Sequence, residues 1–80
     1  MWMLDGENQK PVHTLQLYLT VQEANNLRGA LDTLLIDPEA REHEHVLGGA
    51  CDLSISLVTD AKRKDLSRYT EPERRLLTKK

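Results

Sequence analysis

Eighty residues suffice for one domain and are too few for two, because domains commonly run from roughly 50 to 250 residues. A lone cysteine, Cys51, excludes an internal disulfide, and the longest unbroken apolar run, Met1–Leu4, falls far short of the ~20 residues that a membrane-spanning helix requires. The net charge is only −2 but is unevenly divided: residues 1–59 carry three bases and nine acids, whereas residues 60–80 carry eight bases and four acids.

Met1–Leu4 reads as a short first strand, closed off by the turn-forming stretch Asp5-Gly6-Glu7-Asn8-Gln9-Lys10-Pro11. From His13 to Val21 the odd positions are His13, Leu15, Leu17, Leu19 and Val21, and the even positions between them are Thr14, Gln16, Tyr18 and Thr20. A period of two predicts a strand whose leucine face meets the core.

Thr20-Val21-Gln22-Glu23 matches a capping box, in which the threonine hydroxyl and the glutamate carboxylate satisfy each other's backbone amides. A helix is therefore expected to begin there. Ala24, Leu27, Leu31, Leu34 and Leu35 fall within an arc of about 100° on it, an apolar stripe able to face a core. Asp37-Pro38 should end the helix, since the residue before proline avoids the α region.

Val46-Leu47 leads into Gly48-Gly49 as a strand leads into a hairpin turn, and residues 51–59 resume alternation with Leu53, Ile55 and Leu57 on one face and Ser54, Ser56 and Val58 on the other. Thr70-Glu71-Pro72-Glu73 is a second capping pattern, from which a short helix could dock through Leu76 and Leu77. The expected fold class is thus α+β: one small antiparallel sheet of three to four strands in the order (β)βαββ, packed on one amphipathic helix. Residues 1–59 would form this body, and residues 60–80 a basic C-terminal tail or short helix.

Three constellations bear on function. His43 and His45, if extended, project from one face about 7 Å apart, and His13 on the first long strand could supply a third imidazole to a transition metal such as zinc. The competing reading leaves them exposed in a polar connection. Lys62, Arg63, Lys64, Arg68, Arg74, Arg75, Lys79 and Lys80 could neutralise phosphates, with Tyr69 stacking on a base, although the acidic body lacks the basic footprint of a dedicated nucleic-acid binder. Cys51 fits a hairpin or core position, and no nucleophile motif or phosphate loop accompanies it or the strand serines.

The third constellation is an absence of charge. Residues 11–22 and 53–59 contain no Asp, Glu, Lys or Arg, whereas edge strands are normally guarded by charge, proline or bulges. Thr14, Gln16, Tyr18, Ser54 and Ser56 would then form a neutral docking face. Of the functional readings, the first is a non-enzymatic protein-binding module of the inhibitor, immunity or antitoxin kind, homodimeric and cytoplasmic, with a protein partner and no membrane association. A histidine metalloprotein and a nucleic-acid accessory factor are the alternatives.

Overall fold

A computed structural model describes residues 1–40 and 43–78. The elements in chain order are β1 (Met3–Leu4), β2 (Pro11–Val12), α1 (Val21–Ile36), β3 (Glu44–Gly48), β4 (Cys51–Ile55), α2 (Asp60–Lys64) and α3 (Glu71–Leu77). The fold class is α+β, with one long helix and two separate two-stranded antiparallel sheets where one sheet of three to four strands was expected.

The first sheet is minimal: Met3 pairs with Val12 and Leu4 with Pro11. Between them the Asp5 carboxylate organises the turn, accepting from the amides of Glu7 at 2.9 Å and Asn8 at 3.2 Å. These hydrogen bonds, the Asn8 side chain's foremost, hold the Asp5 carboxyl below the usual aspartate range.

α1 begins and ends where the local signals place it. Thr20 is the N-cap, its hydroxyl accepting from the Glu23 amide while Glu23 Oε1 accepts from the Thr20 amide, and Asp37 is the C-cap ahead of Pro38. The helix packs on β3, and Leu34 and Val46 are the buried residues of that pairing of elements. The rest of the apolar stripe is only partly covered, with Leu31 and Leu35 exposed.

β3 and β4 form the expected hairpin, in register from Glu44↔Ile55 to Gly48↔Cys51. Gly49 at the first central position has φ +60°, a conformation that costs glycine nothing and other residues strain.

Two strand expectations are corrected. Residues 14–20 form no strand: Pro11–Val12 alone pairs, and Leu15, Leu17 and Leu19 are exposed where burial was predicted. Alternation specifies which side chains share a face, but a strand also needs a neighbour for its backbone, and among the described residues none supplies it. The second long strand stops at Ile55, because Thr59 turns to cap α2, its hydroxyl accepting from the Lys62 amide. α3 follows the second capping box as expected and buries Leu77.

Candidate functional site

The hairpin has two chemically distinct faces. Paired residues share a side of the ladder, so Val46 and Leu53 lie on one face and His45 and Ser54 on the other. The polar face opens into a cavity of about 340 Å³ lined by His45 and Ser54 of the hairpin and by His43 and Ser56, which flank its strands. The C-terminal segment contributes Lys62, Arg68, Tyr69 and Glu73 to the same cavity.

The histidine rings meet edge to face with centroids 4.9 Å apart, and His45 Nδ1 hydrogen-bonds Asp52 Oδ1 at 2.9 Å across the ladder. His13 does not complete a triad with them: among the described residues no three His, Cys, Asp or Glu side chains gather into a metal-holding group. Among the described residues the zinc reading therefore finds no third ligand.

Of the six described basic residues in this segment, four have partners within the chain. Lys62 is buried and donates from Nζ to the Leu57 carbonyl at 3.1 Å. The Arg63 guanidinium sits 5.4 Å from the Trp2 ring centroid, a cation–π contact that ties α2 to the N-terminus. Arg74 donates to the Tyr69 carbonyl, and Arg75 to Glu71 one helical turn away at 2.6 Å. Lys64 and Arg68 remain exposed, whereas Lys79 and Lys80 lie outside the described residues.

The uncharged segment is arranged quite differently. Thr14, Gln16 and Tyr18 are exposed, Tyr18 to 85%, and so are the leucines between them, Leu15 to 51% and Leu17 to 50%. Residues 14–19 make no backbone hydrogen bond among the described residues. Beside them runs a largely apolar groove of about 560 Å³, whose lining includes Leu15, Leu17 and Leu19 together with Val46, Leu47 and Leu53 of the hairpin. The exposure of these leucines is not legible in the sequence, because nothing local distinguishes an open leucine row from a covered one.

No helix among the described residues is long and apolar enough to cross a membrane. The chain matches no protein-family model, and no curated protein or solved structure matches it.

Proposed function

We propose that this protein is a non-enzymatic protein-binding module, of the inhibitor, immunity or antitoxin kind, that takes up a polypeptide along residues 14–19. The carrying observation is the coincidence, in one stretch, of exposed leucines with unbonded backbone donors and acceptors. Such groups form a template for strand addition, in which backbone bonds supply affinity and the alternating side chains supply selectivity. Thr14, Gln16 and Tyr18 would line one side of the added strand and the leucines the other. Ser54 and Ser56, grouped with them by sequence, belong instead to the polar cavity. The module reading also suits a cytoplasmic setting, where Cys51, exposed at the end of the hairpin, would persist as a thiol.

A photoreactive phenylalanine analogue in place of Tyr18 tests this directly. It should form a covalent adduct with a polypeptide, either another protein or a second copy, that the same analogue at the exposed helix position Asn25 does not form. Equal capture at both positions, or none at 18, would refute the reading.

A further inference from the structure

Resting on that reading, we propose that the polypeptide taken up by residues 14–19 is the same segment of a second copy of this chain, paired antiparallel about Leu17.

The first argument is symmetry within the segment. Thr14-Leu15-Gln16-Leu17-Tyr18-Leu19-Thr20 reads nearly the same in both directions. Placed antiparallel about Leu17, Leu15 meets Leu19, Gln16 meets Tyr18 and Thr14 meets Thr20. All leucines fall on one face and all hydrogen-bonding side chains on the other. Cross-strand neighbours of matched type are the favourable arrangement, and a twofold interface must be self-complementary in this way. The absence of charge from residues 11–22 removes the like-charge repulsion that self-pairing would otherwise bring.

The second argument comes from the helix cap, which selects the phase of the ladder. Antiparallel strands exchange hydrogen bonds at alternate residues, so either the odd or the even positions must serve. Thr20 is already committed: its amide donates to Glu23 Oε1 at 2.9 Å and its carbonyl accepts from the Ala24 amide at 2.9 Å. The even set would spend two of its four pairs on this residue, one from each copy. The odd set uses Leu15, Leu17 and Leu19, whose backbone groups are unbonded.

The third argument is surface area. The chain exposes 6479 Å² at a mass of 9.2 kDa, whereas a folded monomer of that mass exposes about 4,900 Å². Its radius of gyration is 13.3 Å, against about 11.6 Å for a compact chain of this length. The surplus, roughly 1,500 Å² per chain, is of the size that obligate homodimers bury on each subunit.

The test uses the full chain. Native mass spectrometry of the unaltered protein should show a dimer. In concentrated protein the amides of Leu15, Leu17 and Leu19 should exchange more slowly than those of Gln16 and Tyr18, and dilution should abolish the difference. In a Cys51→Ser background, Leu17→Cys chains should join on oxidation, because opposed hydrogen-bonded residues lie ~5.5 Å apart, within disulfide range. Leu19→Cys chains should not, since their copies would lie ~14 Å apart along the ladder. Mixing Leu15→Cys with Leu19→Cys chains should restore the bridge.

A monomer at every concentration overturns the proposal, as does alternating protection that ignores dilution or equal bridging by Leu17→Cys and Leu19→Cys. The two readings fail separately. If the chain is monomeric but the photoreactive residue at 18 still captures another protein, only the second copy is excluded; if position 18 captures nothing, the binding module falls as well.

Discussion

The carboxylate of Glu23 occupies the space beside Gly48, closer than a Cβ at that position could tolerate. The same side chain accepts from the Thr20 amide at 2.9 Å, so the start of α1 and the end of β3 are fitted to each other through one glutamate. Gly48→Ala should therefore displace Glu23 and undo half of the capping box. The expected loss is about 1 kcal/mol, the usual net worth of one hydrogen bond, read from the urea midpoint. In a Glu23→Ala background the same substitution should cost nothing, and equal losses in both backgrounds would show that the two residues are uncoupled.

Leu34 is only 1% exposed and lies where α1 faces β3. Leu34→Ala should cost about 2–5 kcal/mol, through lost transfer energy and the cavity left behind. Small domains have little stability in reserve, so the variant should lose most of its helical circular dichroism at 25 °C. Leu35→Ala, one residue along but exposed, should leave the spectrum intact.

The contact between the C-terminal segment and the N-terminus can be probed at α2. Arg63→Ala removes the cation–π contact with Trp2, worth about 0.5–1 kcal/mol at an exposed site. Trp2 fluorescence should shift or change intensity in the folded state. An unchanged spectrum would mean that the guanidinium does not rest on the indole in solution.

Asp5 gives the pH prediction. Its folded carboxyl titrates below the ordinary aspartate range because the Asn8 side chain and the Glu7 and Asn8 amides donate to it. A depressed folded pKa contributes stability that is complete above the unfolded value and is lost as pH falls through the folded one. The turn joining β1 and β2 should accordingly loosen only in acid. Carboxyl carbon NMR should show Asn8→Ala moving the Asp5 titration upward, towards that of a free aspartate; no movement would remove Asn8 as the principal donor.

α1 was legible because everything that defines it is local. Thr20 and Glu23 satisfy each other, the leucines recur at helical spacing, and Pro38 stops the chain. The hairpin was legible for the same reason, since Gly49 supplies the left-handed turn residue between Val46-Leu47 and an alternating run. Residues 14–20 were misread because a strand's pairing depends on a partner distant in sequence or in another molecule, on which alternation is silent. α2 is not legible in the sequence because it is only five residues long and mostly charged, and because Thr59, its cap, continues the alternation of a strand. The polar cavity gathers residues that sequence had assigned to three different roles, namely His43 and His45, Ser54 and Ser56, and Lys62 with Arg68. Their convergence depends on how the C-terminal segment folds back, which no short motif encodes.

The burial of Lys62, 5% exposed while Lys10 and Lys64 are open, makes that amine a natural reporter. Acylating reagents should modify the other two readily and reach Lys62 only when the segment around it opens. Mass mapping of labelled lysines would thus follow the integrity of the C-terminal half without any introduced probe.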